Sequence, residues 1–258
     1  MEKVLVYLSL IYNGNWDRIY NAILNKEPVD KEKMEECLNE LKDNYITLLN
    51  HNYPLSLKYI YKPPFVLFYK GDIDLLTDNN LNRIAVIGSR NNSEYGKTIT
   101  QTICQNMLER NPIVIVSGLA KGIDSIAHRE CLKSNGKTIA VLGNGLNVTY
   151  PKENANLYKN IAEKGLIITE YPSNSLPDSS NFLQRNRIIA GISEAVVVTE
   201  AKVKSGTMNT VSYALENGKQ IFCVPDTVNS NSGCNKLIKE GAKLIENGFD
   251  VLDEILKF

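Results

Sequence analysis

Four apolar runs in this chain end in turns made of glycine, serine and a basic or amide residue. Arg83-Ile84-Ala85-Val86-Ile87 ends in Gly88-Ser89-Arg90, and Ile113-Val114-Ile115-Val116 ends in Ser117-Gly118-Leu119-Ala120-Lys121-Gly122. Thr138-Ile139-Ala140-Val141-Leu142 ends in Gly143-Asn144-Gly145, and Ala195-Val196-Val197-Val198 leads to Ser205-Gly206-Thr207. In a parallel α/β sheet, turns of this kind collect along one edge, at the carboxyl ends of the strands. Glycine lets a ligand approach the backbone, and the helix that follows each turn offers an N-terminus that favours anions. One edge then carries several anion cradles side by side, which suits a ligand with more than one phosphate.

Gly88 permits close approach, Ser89 can donate a hydroxyl hydrogen bond, and Arg90 offers a bidentate phosphate fork. The competing reading of Arg90 is an ordinary turn with a solvated side chain. In Asn181-Phe182-Leu183-Gln184-Arg185-Asn186-Arg187-Ile188-Ile189-Ala190-Gly191, helical spacing puts Arg185 on the stripe of Ile188, Ile189 and Ile192. An arginine on an apolar stripe needs a partner, either a carboxylate or a ligand phosphate. Two residues turn a helix by about 200°, so Arg187 points elsewhere. Phe182 is open to two readings, a stacking platform for a base or a plain core residue.

Other features resemble chemistry without supporting it. Asn91 to Thr98 contains Gly96-Lys97-Thr98 but has Asn91 where a P-loop needs glycine. Cys131 to Thr138 ends in Gly136-Lys137-Thr138 but runs into a strand, whereas a P-loop is followed by a helix. His128 has no serine, cysteine or carboxylate spaced to form a triad, and reads as a structural histidine tying two elements together. Asp124 reads as a first-turn acid that caps or braces its loop.

The five cysteines share no C-x-x-C spacing and there are two histidines, so no zinc site or other metal is expected. A scattered, odd cysteine set points to a reducing compartment, the cytoplasm. The formal net charge is zero, so any nucleic-acid site is a local patch. No apolar run reaches the roughly 20 residues of a membrane span, and the apolar start at Met1 to Leu10 reads as a first core helix.

Residues 1–62 read as a small helical module, with Leu5, Leu8, Ile11 and Tyr12 and then Ile19, Ala22, Ile23 and Leu24 at helical spacing. Pro63-Pro64 marks a boundary. From Arg83 onward strands and helices alternate, with helices expected near 94–109, 122–135, 152–164, 183–193, 205–217 and 248–257. Continuous apolar strands fit a parallel sheet covered on both faces. The expected fold class is α/β, a doubly wound Rossmann-like sheet over 63–258 preceded by the helical module.

The ordered set of these motifs closely resembles the DNA-processing protein A family, also called Smf. It comprises Gly88-Ser89-Arg90, Ser117 to Asp124 with Ala127-His128, and Ile139 to Leu146 with Tyr150-Pro151 and Asn154. It continues with Phe182 and Arg185 to Gly191, Ser205-Gly206-Thr207, and Gly233-Cys234-Asn235 with Gly241-Ala242. The resemblance covers nearly all of residues 46–245. It implies an extended Rossmann domain that binds single-stranded DNA, a homodimer, loading of the RecA recombinase in natural transformation, no cofactor and no catalysis. It also implies a SAM-like N-terminal domain.

Carried over by position, the DNA pocket would be Gly88, Ser89 and Arg90, Ser117, Gly118 and Lys121, Asn144, Phe182, Arg185 and Asn186, and Ser205 with Gly206. Some members carry lysine where this chain has Ser179, which points to weaker phosphate contact here. The N-terminal module lacks a clear G-x-G hairpin signature, and no carboxyl-terminal winged-helix domain is expected.

Two rival readings share the fold. Ser205-Gly206-Thr207 resembles the turn of the nucleoside-monophosphate phosphoribohydrolases, whose catalytic glutamate falls at Thr210 here. A nucleotide sensor or enzyme of that type is the alternative. An NAD-binding oxidoreductase fits less well, because Gly88-Ser89-Arg90-Asn91-Asn92-Ser93 is not G-x-G-x-x-G.

Overall fold

The computed structural model describes residues 1–110, 112–228 and 231–256. It opens with three helices, α1 (Glu2–Ile11), α2 (Trp16–Leu24) and α3 (Lys31–Glu40). The side chains of Asn15 and Asp30 accept from backbone N–H groups and start α2 and α3. Leu8 of α1 packs with Ile19 and Ala22 of α2, as the helical spacing predicts.

The sheet begins earlier than expected. β1 (Asn44–Thr47) pairs antiparallel with β2 (Val66–Gly71), and the short α4 (Leu55–Lys58) lies between them. The expected boundary at residue 62 therefore runs through a strand pair. Tyr53 Oη donates to the Pro64 carbonyl at 2.8 Å, and Leu57 and Ile60 join the main core, so Pro63-Pro64 is a link inside the sheet domain. Among the described residues, the helices α1 to α3 alone precede the sheet.

After α5 (Asp74–Thr77) the alternation is regular: β3 (Asn82–Gly88), α6 (Glu94–Arg110), β4 (Ile113–Ser117), α7 (Ile123–Lys133) and β5 (Lys137–Val141). A 3₁₀ turn at Lys152–Asn154 precedes α8 (Ala155–Lys164), followed by β6 (Leu166–Thr169), α9 (Ser179–Ile192), β7 (Ala195–Glu200) and α10 (Gly206–Glu216). β8 (Gln220–Cys223), α11 (Gly233–Lys239), β9 (Lys243–Leu244) and α12 (Gly248–Ile255) complete it. Each of the six helices expected from the strand–helix alternation is present. α11 was not expected as a helix; Ser232 caps it by accepting from Asn235 N.

The nine strands form one sheet in the order β1-β2-β6-β5-β4-β3-β7-β8-β9, parallel from β6 to β9. β2 joins β6 antiparallel, an edge that the expectation of a purely parallel sheet omitted. Alternate residues bury into opposite faces. Ala85, Val116, Val141 and Val198 pack with α9, α10 and α11; Ile84, Val86, Ile115 and Val197 pack with α6, α7 and α12. The chain winds outward from β3 in both directions, so the strand order reverses at β3. Ligands of doubly wound folds bind at that position.

Two buried polar residues fix the helices on this sheet. Arg187 makes a bidentate ion pair with Glu170, at 2.5 and 2.9 Å, and donates to the Lys62 and Gln184 carbonyls. It thus joins α9 to the end of β6 and to the segment before β2. His128 of α7 is fully buried. Thr138 Oγ1 donates to the Ile115 carbonyl and so accepts from His128 Nδ1, 2.7 Å away; Nε2 has no partner. Burial, aided by the nearby Arg185 charge, pulls the His128 pKa from 6.5 to about 3.

Arg187→Met is expected to leave Glu170 as an unpaired buried charge and to lower unfolding free energy by roughly 3–5 kcal/mol in urea denaturation. Arg187→Met with Glu170→Leu should recover most of that loss. His128 stays neutral in the folded state down to about pH 3 but binds a proton near pH 6.5 when unfolded. Its contribution to stability is therefore undiminished above pH 6.5 and is lost as pH falls toward 3, at roughly 1 kcal/mol per pH unit. Urea midpoints of His128→Asn should lack that part of the acid slope.

Candidate nucleic-acid interface

The turns after β3, β4, β5 and β7 meet above the first half of α9 and form a two-chambered groove. One chamber, of about 250 Å³, lies between Gly118–Lys121, Leu142–Asn144 and Tyr150-Pro151. The other, of about 460 Å³, lies between Gly88–Asn91, Lys202 to Thr207 and α9. Arg90, Phe182 and Arg185 line both chambers and stand where they join.

Arg185 is 3% exposed and forms part of the groove floor. Its Nη1 donates to the Gly118 carbonyl at 2.7 Å and to the Val141 carbonyl, and its Nε to Asn186 Oδ1 at 3.2 Å. Burial lowers its pKa to about 10, with Asp124 opposing the shift, so it remains charged at neutral pH. Asp124 accepts from Gly118 N at 3.1 Å. Burial raises the Asp124 pKa, against the pull of Arg185. It braces the loop, as expected for a first-turn acid. A Cβ on Gly118 would lie 2.6 Å from the Arg185 guanidinium, so this turn needs glycine for Arg185 to reach the strand ends.

Phe182 is half-buried above that floor. Its ring stacks on Tyr150, with centroids 5.4 Å apart, and the Arg90 and Arg185 guanidinium carbons lie 5.7 and 6.0 Å from its centroid. A Cβ on Gly143 would sit 2.6 Å from Phe182 Cδ1, so the β5 turn is shaped to receive this ring. Tyr150 is 45% exposed and leaves an aromatic face open to solvent.

The second chamber is the anion side. The Ser89 hydroxyl accepts from Asn91 N, and Ser89 N donates to the Glu200 carbonyl at 2.7 Å, which sets the turn after β3. Glu200 also accepts from Ser93 N and Ser93 Oγ, holding the far end of that turn. Gly206 opens α10 with no side-chain cap, and nothing lies within 4 Å of where its Cβ would be. Orphan N–H groups of that first turn face an open wall, an arrangement that favours an anion. Exposed Lys202 and Lys204 line the same wall. Neither lysine has an acidic partner among the described residues. Ser205 Oγ donates to the Lys202 carbonyl, and Gly233 N to the Ala201 carbonyl, so the loop that bears them is pinned.

Eleven of the twelve expected pocket residues line these chambers: Gly88, Ser89, Arg90, Gly118, Lys121, Asn144, Phe182, Arg185, Asn186, Ser205 and Gly206. Ser117 does not. It is fully buried, and its hydroxyl is spent on the Val86 carbonyl, so it stitches β4 to β3 beneath the groove. Arg185 finds neither a carboxylate nor a free space; carbonyls hold it from below. Asn144 spends its amide on the Gly145 and Val148 carbonyls, and Asn186 ties α9 to α10 through Gly206 and Asn209. Lys121 is exposed but pairs with Glu153 at 2.5 Å. Sequence reasoning missed Lys202 and Lys204, whose signal was basic residues just before an uncapped helix start. Tyr150 was noted only as part of a motif.

Thr210, at the position of the hydrolase glutamate, is buried and lines the second chamber. Asp124 is the one carboxylate among the residues lining the two chambers. Among the described residues, no group of three or more His, Cys, Asp or Glu could hold a metal ion, and no helix is long and apolar enough to cross a membrane. The G-K-T run at residue 96 lies inside α6 and the one at residue 136 enters β5, as their flanking residues indicated.

The chain is a doubly wound α/β protein with a cationic, aromatic groove at the switch of its strand order, where folds of this class place their ligands. Within that class, this chain belongs to the DNA recombination-mediator protein A family, whose model matches residues 44–256. It is 44% identical over 210 residues to DNA processing protein DprA of Streptococcus pneumoniae, covering 81% of this chain and 73% of that protein. It is 40% identical over 214 residues to DprA of Bacillus subtilis, covering 82% and 71%.

The X-ray structure of the Streptococcus pneumoniae protein superposes with a TM-score of 0.81 at 41% identity, over 92% of this chain and 80% of that one. DNA processing protein A of Helicobacter pylori, described by its single-stranded DNA binding mode, gives 0.74 at 33% identity, over 83% and 97%. The molybdenum cofactor binding protein of Rippkaea orientalis shares the fold alone, at a TM-score of 0.51, 16% identity, and 69% and 98% coverage.

Gly118→Ala is expected to push the Arg185 guanidinium away from the strand-end carbonyls and to cost about 1–3 kcal/mol of stability. Urea denaturation at neutral pH measures it.

Proposed function

We propose that this chain binds single-stranded DNA in the two-chambered groove, without sequence preference and without chemical turnover. The observation that carries this reading is the junction of the chambers. Phe182 stacks on Tyr150 there, beneath Arg90, which has no acidic partner among the described residues, so base stacking and phosphate attraction meet at one point. Phosphates on one side would meet Lys121 and the Gly118–Ala120 backbone. On the other side they would meet Ser89, Lys202, Lys204 and the open start of α10. Stacking tolerates any base, and contacts to phosphate carry no sequence.

Lys202 and Lys204 line the second chamber together with Ser179 and would bring to it the cationic charge that a lysine at residue 179 would have carried. Binding of one strand by a homodimer, and its transfer to a RecA recombinase, complete the reading. The description of the family as a recombination mediator supports that step.

Fluorescence anisotropy of a labelled oligo-dT against the matching duplex, at two salt concentrations, tests the proposal. The single strand should bind more tightly, and affinity should fall steeply with salt. Arg90→Ala should weaken binding about tenfold without lowering the melting temperature. Lys202→Ala with Lys204→Ala should reduce the salt slope by roughly two. Equal binding of duplex and single strand, or Arg90→Ala behaving as the parent, would overturn it.

A further inference from the structure

A second cleft lies on the opposite flank of α9. It is lined by the turn between α1 and α2, by Lys62, and by Ser180, Asn181 and Gln184 of α9, with the Arg187–Glu170 pair at its base. Its volume is about 380 Å³. Residues 12–18, which form one wall, lie outside the span matched by the family model.

The cleft repeats the device found in the groove. Trp16 stacks on Tyr20 at 5.0 Å, with the ring planes within 12°, and on Phe65 at 5.2 Å. Lys62 Nζ lies 5.5 Å from the Trp16 ring centroid. Trp16 lines the cleft; Tyr20 lies just outside that lining, stacked on Trp16 and 45% exposed, so a base at the rim of the cleft can stack on it. Arg18 lies over the Tyr12 ring at 5.6 Å, is exposed, and has no ion pair among the described residues. Asp17 is neutralised by Lys62 at 2.6 Å, and Glu170 by Arg187. Among the residues lining the cleft, Arg18 is the charge without an ion-pair partner, and the Glu27 carboxylate, which accepts from Tyr12 Oη at 2.6 Å, lies beside it.

The groove and the cleft are separated by the first two turns of one helix. Ser179, Phe182 and Leu183 face the groove, and Ser180, Asn181 and Gln184 face the cleft. A helix is about 10 Å across with its side chains, a span that a flexible polynucleotide crosses in very few nucleotides.

We propose that the cleft is a second station for the same DNA strand. Nucleotides leaving the groove pass over the start of α9, a base stacks on Tyr20, and Arg18 attracts the adjoining phosphate. The inference rests on the single-strand reading of the groove and adds the helical N-terminal segment to the binding path.

Trp16 is the only tryptophan of the chain and reports on this cleft directly. The intact protein is titrated with dT oligomers of about 4 and about 16 nucleotides, following Trp16 emission and anisotropy together. The short oligomer should bind without changing Trp16 emission, and the long one should change it. Tyr20→Ala with Arg18→Ala should weaken the long oligomer about tenfold, reduce its salt slope by roughly one, and leave the short oligomer unaffected. Both residues are exposed, and an unchanged melting temperature verifies the fold.

Unchanged emission with the bound long oligomer, or parental affinity of the double variant for it, overturns the second station and leaves the groove reading intact. If Arg90→Ala binds as the parent while the Tyr20/Arg18 variant is weakened, the groove reading fails, and the second station fails with it, leaving the cleft as a separate binding surface. If the parent binds neither oligomer, both fail.

Discussion

A guanidinium with almost no access to solvent sits under the junction of the groove, and the geometry of the site follows from where it is held. Arg185 is fastened from below by carbonyls at the ends of β4 and β5. A buried cation carries a large desolvation cost, which dipoles aimed at it offset only if they stay in place. That requirement fixes the pitch of α9 over the sheet. It thereby fixes Phe182 one turn earlier, against Gly143 and Tyr150. The same charge raises the field in the groove without spending a flexible side chain on it. Exposed Arg90 already lies over the ring, 5.7 Å from its centroid.

Arg187 performs the corresponding task on the other flank of α9. Its partner is a carboxylate, and the pair is sealed by the segment that leads into β2. One helix is thus tied through two arginines to opposite sides of its own axis. This explains why α9 is polar by sequence and yet buried from Arg185 to Ile192. Its first turns stay exposed, and both candidate surfaces use them.

The strands and the helices of the alternating region were legible because buried parallel strands read as unbroken apolar runs and because glycine turns punctuate them. The location of the groove was legible for the same reason, since strand-end turns share an edge whatever lies between them. Three things were not. Ser117 has the composition of a ligand-binding turn, and only the register of β4 against β3 shows its hydroxyl already bound. Lys202 and Lys204 sit in a loop whose orientation is set by a long-range bridge between Lys202 and Ser232. The antiparallel edge was hidden because β1 is four residues long and lies among helices, too short for a period to register. The role of His128 was read correctly from an absence of partners, and the structure adds that Thr138 fixes its tautomer.

The walls of the groove come from turns spread between residues 88 and 207, and each turn is shaped by strands that neighbour it in space rather than in sequence. On the ribosome, therefore, the site cannot exist piecemeal. β3 waits for β7 as its second neighbour, and the anion wall waits for α10. At ordinary translation rates, roughly 6–24 seconds separate synthesis of the first wall from that of the last. Throughout that interval the nascent chain holds a growing share of the motif residues but no complete groove.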